Sequence, residues 1–592
     1  MDGIMAANLR AQHVAGATVS VVKDGALFFS KGYGYADVAT RKPVDPARTL
    51  FRIGSTSKLF TWTAVMQLVE QGKLDLDADV NRYLDFKIPA TYPQPITLRH
   101  IMTHTAGFEE DGRDLITEDS AHIVPLGRFL PSHMPARVRP PGVYASYSNY
   151  ATALAGYVVQ RVSGQPFDEY IEQHILTPLG MTQTTTRQPL PMRLRADMSQ
   201  GYRWANGGYA PQKFEIVGGL APAGSTSASA EDMAKFMLAH LNGGAYNGRR
   251  ILAESTTARM HARAFGHDPR LPGFALGFYE QTSHGVRMIA HAGDLEYMHT
   301  NLSLIPSDRV GVFVSYNTNT GGTLSFGPFM QQFLDHYYPS PAPATAVLPP
   351  DAAQEAAEVA GDYAFNRRSY TTFQKAFGLT GDVGVAAADS GRVLLHSPLG
   401  DMRLVPVGPL LYREELGSDL VSFKAGPSGR AEYGFLGMAP MMVLERVPWY
   451  ATARLHWVIL GLGTLVFLGT LAAGVRRFVR RRAGAALPGD ALRGRWLLVT
   501  LALCHVLFLV TAVSILGASG GILTGPLAGL RAALTLPVLA VVLTVGAVVV
   551  AVRQWRRGEG TRGARLRYDA VVAVALLFAW SLNQWNLLGW RM

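Results

Sequence analysis

Ser55-Thr56-Ser57-Lys58 places a nucleophile and a base three residues apart at the start of a helix. Apolar residues recur at spacings of three and four over 58–71, and Gly72 follows as a stop signal, so this segment is predicted to be helical. Side chains three residues apart share a helix face, which brings the Lys58 amine within reach of the Ser55 hydroxyl. A desolvated lysine can activate a serine as a nucleophile. Alone, the pattern also fits a helix N-cap followed by a surface lysine.

Two later segments favour the catalytic interpretation. Tyr147-Ser148-Asn149 follows Pro141-Gly142 and precedes an apolar run of small residues. His291-Ala292-Gly293-Asp294 lies between the strand-like segments 285–289 and 301–305. In this order, the three elements resemble the active-site motifs of the serine β-lactamase and penicillin-binding-protein superfamily. That superfamily uses Ser-x-x-Lys, a second polar triplet and a strand similar to Lys-Thr-Gly.

The Tyr-x-Asn triplet and the His-x-Gly variant are similar to the class C β-lactamase-like branch. That branch includes D-alanyl-D-alanine carboxypeptidases, D-aminopeptidases and esterases. Segments 50–61, 98–107 and 221–224 support the resemblance, which covers residues 10–338. The resemblance implies an α+β (α/β-type layered) fold. In this fold an antiparallel sheet is flanked by helices, and a further group of helices forms a separate lobe.

The resemblance also implies roles for three catalytic residues. Ser55 would attack a carbonyl and form an acyl-enzyme that water then hydrolyses. Lys58 is a candidate base, and Tyr147 is a second candidate that would also protonate the leaving group. The sequence leaves the division of work between lysine and tyrosine open. The alternative for Tyr147 is a buried tyrosine with a satisfied hydroxyl.

Four further residues are predicted to contact the substrate. The amide of Asn149 suits a peptide-like substrate, although the same residue also suits a helix N-cap. His291 replaces a lysine that binds the substrate carboxylate in β-lactamases, and a neutral imidazole carries no full charge near pH 7. Gly293 permits close backbone approach, and the amides of Ser55 and Asp294 would form an oxyanion hole. The alternatives are a structural role for His291, and for the Asp294 carboxylate either selection of cationic groups or a turn cap.

The net charge of +11 is concentrated in two short stretches. Residues 476–495 hold seven arginines and one acid, and residues 553–567 hold six arginines and one acid, so the rest of the chain is neutral overall. This distribution argues against nucleic acid as a partner. Apolar segments flank both stretches, and four of them are long enough to span a membrane. They are 455–475, 496–518, 532–552 and 570–590.

The arginine clusters also predict the orientation of the four spans. Under the positive-inside bias, both clusters are cytoplasmic, and residues 1–450 and the C-terminus lie on the outer face. Residues 1–30 contain no signal peptide, so we expect an upstream signal or a different start. Asn583, Gln584 and Asn586 are expected to be solvated or to bond neighbouring helices. The alternative to spans is a pair of buried core helices with loops.

A second folded module lies between the catalytic region and the spans. Residues 339–350 contain five prolines and predict a semi-rigid linker. Short alternating runs over 360–447 predict a small all-β domain, placed at 351–450, and its Gly361-Asp-Tyr363 opening is similar to a lipocalin-like barrel found in some relatives. We expect a lid, a wall of the site or a spacer. The single Cys504 excludes an intrachain disulfide.

Together these features predict a membrane-embedded, extracytoplasmic serine hydrolase with a catalytic domain at 1–338 and four transmembrane helices within 455–590. Its substrate would be a small molecule or peptide, with amide bonds next to D-amino acids as the expected target. An esterase of the same family remains an alternative, as does a sensor acylated by a β-lactam or wall fragment. No metal or cofactor is expected, and the sequence carries neither a His-Glu-x-x-His motif nor a Gly-x-Ser-x-Gly elbow. No particular oligomeric state is predicted.

Overall fold

A seven-stranded sheet joins the beginning and the end of the N-terminal region. In the computed structural model, which describes residues 1–339, 349–398, 400–484, 494–518 and 528–592, all neighbouring strands of this sheet are antiparallel. Their order across the sheet is Tyr279–Ser283, Val286–Asp294, His299–Ile305, Val310–Tyr316, Gly16–Lys23, Ala26–Asp37 and Lys42–Pro43. Gly16–Lys23 and Ala26–Asp37 therefore form a hairpin near the start of the chain, and this hairpin pairs with strands from the end of the region, which include the predicted segments 285–289 and 301–305.

Helices cover both faces of this sheet, which gives the layered α/β fold. Ala230–Leu241 packs on one face, and Asp2–Ala11 and Thr323–Tyr337 lie on the other. Lys58–Glu70 runs through the core, and every residue from Lys58 to Leu68 is buried, as expected for a helix surrounded by protein. The remaining α-helices described in this region are Leu98–Met102, Leu126–Ser132, Asn149–Ser163, Phe167–Ile171, Met192–Arg195 and Glu254–His261.

Short strand pairs complete the N-terminal region. Ser227–Ala228 lies between Phe51–Arg52 and Thr184–Thr185. The other pairs are Ile116–Thr117 with Ile216–Val217, Gly201–Ala205 with Gly208–Gln212, and Ala245–Tyr246 with Arg249–Arg250.

A closed barrel forms the second domain and confirms the predicted all-β module. The helix Ala352–Val359 precedes it, and positions 340–348 of the predicted linker lie outside the described residues. Within the described part of the chain, its eight strands are Gly361–Phe365, Val383–Ala387, Val393–Ser397, Gly400–Gly408, Leu411–Glu414, Leu420–Ala425, Ala431–Leu436 and Val443–Arg446. The last strand pairs with the first, which removes both sheet edges.

The C-terminal region is a bundle of long apolar helices. The described residues contain four helices long and apolar enough to cross a membrane. They are Ala453–Arg482, Arg495–Ala518, Ala528–Arg557 and Arg562–Gln584. Each packs against its neighbour in the chain, and the fourth closes on the first. Large apolar side chains such as Leu465 and Val513 are exposed on the outside of the bundle, which fits contact with lipid.

The helix ends differ from the predicted spans. The first and third helices continue through arginines to Arg482 and Arg557, because arginine is a good helix former and apolar composition alone underestimates helix length. Part of each predicted connection (485–493 and 519–527) lies outside the described residues. The predicted end of the fourth span near 590 is wrong. The Thr561 side chain caps that helix at its start, and the helix ends at Gln584.

One loop of the barrel, residues 366–380, joins the barrel to the N-terminal region. The Asn366 side chain donates to the carbonyl oxygen of Ala145 at 2.7 Å. The amide of Thr371 donates to the buried Glu109 carboxylate at 2.9 Å. Because Asn366, Ala145 and Glu109 are buried and bonded, the loop is fixed against the N-terminal region.

The same loop contacts the helix bundle. The Asn586 side chain donates to the carbonyl oxygens of Tyr370 at 2.8 Å and Thr372 at 2.9 Å. The Phe373 side chain is buried in the core of the bundle, and its amide donates to the carbonyl of Arg591. Asn586 is buried, so the expectation that it is solvated or bonds another helix is wrong. The chain after the fourth helix turns back against the barrel.

Candidate active site

Ser55 lies in a 3-10 turn, Gly54–Ser57, and the α-helix begins at Lys58. Gly54 has a φ of 49°, a left-handed conformation that favours glycine, and a Cβ there would lie 2.9 Å from the amide nitrogen of Asp294. The Ser57 hydroxyl stabilises the turn by donating to the carbonyl of Gly54 at 2.6 Å. The turn thus holds Ser55 at the start of a buried helix.

The amine of Lys58 is fully buried and contacts three oxygen atoms. Its Nζ lies 2.9 Å from Ser55 Oγ, 2.8 Å from Asn149 Oδ1 and 2.7 Å from the carbonyl oxygen of Ala223. Burial lowers the pKa of Lys58 well below its usual range, and the charge of Arg367 lowers it further. A neutral amine has two N–H groups, and these can donate hydrogen bonds to Asn149 Oδ1 and to the carbonyl oxygen of Ala223. The nitrogen lone pair is then available to accept the hydroxyl proton of Ser55.

The ring of Tyr147 is enclosed by other site residues. It lies 4.8 Å from Lys58 Nζ and 4.2 Å from the ring of His104, measured at the ring centroid. Burial raises the pKa of the Tyr147 phenol, while a hydrogen bond with Ser55 and the charge of Arg367 oppose that increase. The phenol therefore keeps its proton near neutral pH. These directions favour Lys58 as the resting base and Tyr147 as a proton donor.

Asn149 is the first residue of the helix Asn149–Ser163, and it does not cap that helix. The Ser148 side chain is the N-cap, since its hydroxyl accepts from the amide of Ala151. Asn149 Oδ1 instead accepts from Lys58. The N-cap alternative for Asn149 is therefore wrong, because the preceding serine supplies the cap and the asparagine side chain points to the lysine.

The strand Val286–Asp294 packs against the turn that carries Ser55. Thr56 Oγ1 donates to the carbonyl of His291 at 3.1 Å. A Cβ on Gly293 would lie 1.9 Å from the carbonyl oxygen of Ile53 and 2.9 Å from the amide nitrogen of Ser55. Only a glycine allows this spacing, so Gly293 sets the distance between the strand and Ser55.

The imidazole of His291 is buried beside the tyrosine. Its ring centroid is 6.2 Å from that of Tyr147, and its Nδ1 lies 2.7 Å from the carbonyl oxygen of Ala292. Nε2 is buried without a partner among the described residues. Chiefly because the ring is buried, the pKa of His291 is lowered to about 3, so the ring is neutral. In this position, His291 offers no positive charge to a substrate.

Asp294 ends the strand with a half-exposed carboxylate. The carboxylate lies 2.8 Å from His299 Nδ1 on the neighbouring strand. Its amide nitrogen lies beside Gly54, in the turn that carries Ser55. The side chain is thus committed to a cross-strand pair, and the backbone is the part of Asp294 closest to Ser55.

Three residues of the site were not singled out from the sequence. His104 lies within the quoted segment 98–107, stacks on Tyr147, and its Nδ1 accepts from the amide of Ser148 at 3.3 Å. Arg367 follows the first barrel strand, and its guanidinium carbon lies 4.7 Å from the Tyr147 ring centroid. Arg367 Nε donates to Glu110 Oε2 at 3.1 Å. No sequence motif surrounds Arg367 or Glu110. Of these three residues, only His104 lies in a segment whose sequence pointed to the site.

The barrel is therefore a wall of the site. Besides Arg367, its Met441 carbonyl accepts from the backbone amide of Tyr147 at 3.2 Å. The spacer alternative is wrong, because a spacer would make no contact with the tyrosine.

Comparisons with known proteins agree with this arrangement. Residues 1–330 match the family model described as Beta-lactamase. Over 324 residues the chain is 26% identical to Protein flp of Staphylococcus aureus, and the match covers 54% of this chain and 63% of that protein. The chain thus spans less than two thirds of this relative's length.

Two solved structures share the fold. The octameric penicillin-binding protein homologue from Pyrococcus abyssi is 21% identical, with a TM-score of 0.50 over 75% of this chain and 99% of that one. SurE is 25% identical, with a TM-score of 0.52 over 75% of this chain and 98% of its own.

Proposed function

The chain belongs to the beta-lactamase family, a family of serine hydrolases, and from this premise we propose that it is a membrane-anchored hydrolase with Ser55 as its nucleophile. The observation that carries the proposal is the contact of 2.9 Å between Lys58 Nζ and Ser55 Oγ. A buried, neutral amine at this distance can remove the hydroxyl proton as the oxygen attacks.

The proposed reaction has two steps. Ser55 Oγ attacks the substrate carbonyl while its proton moves to Lys58, and the carbonyl electrons move to the oxygen, where the amides of Ser55 and Asp294 stabilise the charge. Tyr147 gives its proton to the leaving nitrogen, the C–N bond breaks, and Lys58 returns a proton to the phenolate. Water then hydrolyses the ester formed with Ser55.

We propose amide bonds next to D-amino acids as the substrate. Asn149 supports the peptide-like part of this choice: its Oδ1 is occupied by Lys58, and its NH2 group makes no hydrogen bond within the described residues, so it is free to donate to the carbonyl of a peptide-like acyl group. The preference for D-amino acids comes from the resemblance to the family. Short esters are the competing substrates, since an alkoxide is a better leaving group than an amide anion and a nitrophenolate leaves without a proton from Tyr147.

The proposed topology places the catalytic region and barrel outside the cell membrane. The barrel contacts the start of the first apolar helix, where Asp382 accepts from the amide of Ala453 at 2.6 Å. Arginines end that helix at the opposite pole of the bundle, at Arg480–Arg482. The positive-inside bias supports a cytoplasmic position for that pole.

Labelling with a fluorescent fluorophosphonate tests the nucleophile. We expect wild type to be labelled and Ser55→Ala to remain unlabelled. Ser120→Ala, which removes an exposed serine from another 3-10 turn, is the matched control and should label like wild type. Equal labelling of Ser55→Ala and wild type would contradict the assignment of Ser55.

A substrate panel then separates the reactions. It contains D- and L-alanyl amides, a D-leucyl amide, and nitrophenyl esters. The D-leucyl compound is included because the fold neighbour SurE has been crystallised with D-Leu. Turnover of D-amides supports the peptidase, and turnover of esters alone would replace it with an esterase. Stable labelling without turnover of any compound would favour the sensor.

A further inference from the structure

Arg367 brings a positive charge from the barrel into the site. Its guanidinium lies over the ring of Tyr147, and its Nε and Nη2 face Glu110 at 3.1 and 3.4 Å. The side chain is 34% exposed. Among the described residues, no group is bonded to Nη1, so one edge of the guanidinium is open.

The other basic residues of the site are poor partners for an anion. Lys58 is fully buried, and its amine is surrounded by three oxygens. His291 and His104 are also buried, and burial keeps both rings neutral. The position that holds a lysine in β-lactamases thus carries no charge here, and Arg367 is the partly exposed cation at the ring of Tyr147.

The position of Arg367 also indicates which part of the substrate it meets. Tyr147 is the proposed donor to the leaving group, and Arg367 covers its ring. A guanidinium is planar and binds carboxylates through two parallel hydrogen bonds. Stacking on the ring and pairing with Glu110 hold that plane, so little side-chain freedom remains to be lost on binding.

We propose that Arg367 binds the free carboxylate of the leaving amino acid, so that the site selects substrates cleaved before a carboxyl-terminal residue. This inference rests on the proposed function for the direction of cleavage. It assigns to the barrel the selection of the substrate, and to the N-terminal region the chemistry.

Binding to the full chain in detergent, in a Ser55→Ala background without turnover, tests the proposal. The probes are N-acetyl-D-alanyl-D-alanine and its carboxyl-terminal amide, which differ only in the carboxylate. We expect calorimetry to give a dissociation constant about 10- to 100-fold lower for the acid, the range for a hydrogen-bonded charge. Adding Arg367→Gln should reduce the ratio to about one, and Arg367→Lys should restore part of it.

Arg368→Gln is the matched control. Arg368 has the same charge and is adjacent in the loop, but it contacts Glu445 and the ring of Tyr370. This variant should keep the wild-type ratio of acid to amide. If Arg367→Gln weakens the binding of the acid and of the amide equally, Arg367 has only a structural role and the proposal is overturned. Equal dissociation constants for acid and amide in the Ser55→Ala background would also overturn it.

The two proposals fail in different ways. If the wild-type chain is not labelled at Ser55, the assignment of Ser55 as the nucleophile is wrong. The ratio of the dissociation constants of acid and amide still decides the role of Arg367. If labelling succeeds and the ratio is one, the hydrolase stands and Arg367 does not select a carboxylate.

Discussion

The position of Lys58 in the fold determines the protonation state of its amine. Its side chain is fully buried in a helix that is itself buried, and its amine meets only oxygens. In such surroundings the charged form of an amine is disfavoured. The pH dependence of the proposed reaction should therefore report on the charges near Lys58.

Replacement of Arg367 should move the acid limb of the pH–rate profile. Lys58 must be neutral to act, so kcat/KM falls as the pH drops through its pKa. The positive charge of Arg367 lowers the pKa of Lys58, so Arg367→Gln should raise that pKa and shift the acid limb to higher pH. The rate of fluorophosphonate labelling measured against pH is the readout. Arg368→Gln should leave the limb in place, and a shift to lower pH in Arg367→Gln would refute this account.

Gly293→Ala should disable the site without unfolding the protein. A Cβ at this position would lie 1.9 Å from the carbonyl of Ile53, so the strand or the Ser55 turn must move. Displacements of about 1 Å at a reacting group can reduce rates about 100-fold. We expect that loss in labelling rate, with the circular dichroism unchanged. Gly208→Ala, where nothing lies within 4 Å of the new Cβ, is the control, and wild-type labelling of Gly293→Ala would contradict the close approach.

For the individual residues of the candidate site, the sequence predicted which ones lie together, but it did not predict every residue that contacts them. Ser55, Lys58, Tyr147 and Asn149 come together as expected, because each sits at a helix start or turn with a local signature. Arg367 was missed for a physical reason. Its place depends on how two separate domains pack, and no spacing within the barrel sequence encodes that contact.

Among the elements, the loop 366–380 has the widest role. Its first residues contact Ala145 and Tyr147, and its later residues contact the C-terminal segment of the bundle. Because backbone groups of the loop are bonded at both ends, the position of Arg367 depends on the bundle as well as on the barrel.

Asn586→Ala should loosen this loop. The change removes two hydrogen bonds to the carbonyls of Tyr370 and Thr372, and each such bond contributes about 1 kcal/mol. Amide hydrogen exchange should become faster over 366–380, with little change in the central sheet. Asn583→Ala is the control, since that side chain accepts only from Arg591 among the described residues. If the exchange rates over 366–380 are unchanged in Asn586→Ala, the bundle does not stabilise the loop.

Regular elements were predicted best where burial is uniform. The helix predicted over 58–71 spans Lys58–Glu70, and the strand-like segment 301–305 lies within the strand His299–Ile305. The apolar helices were predicted to exist, but their ends were not. A hydropathy pattern marks where composition changes, whereas a helix ends where capping and contacts stop it, as at Gln584.

For the whole molecule, the central prediction is the side of the membrane on which each region lies. The single Cys504 is buried in an apolar helix and is replaced by alanine for this test. Ser428→Cys then marks the barrel, and Arg557→Cys marks the arginine-rich pole. In intact cells an impermeant maleimide should label position 428 and not position 557, and permeabilised cells should be labelled at both. Labelling of position 557 alone in intact cells would invert the proposed topology.

The contacts of the loop 366–380 also limit how far this protein can be divided. A chain cut after the barrel would leave the carbonyls of Tyr370 and Thr372 without their Asn586 partner and would expose the Phe373 side chain to water. The apolar helices are therefore more than a tether that could be exchanged for another. If Arg367 selects the substrate as proposed, a shortened, water-soluble version would retain Ser55 and Lys58 and yet choose among substrates differently from the intact protein.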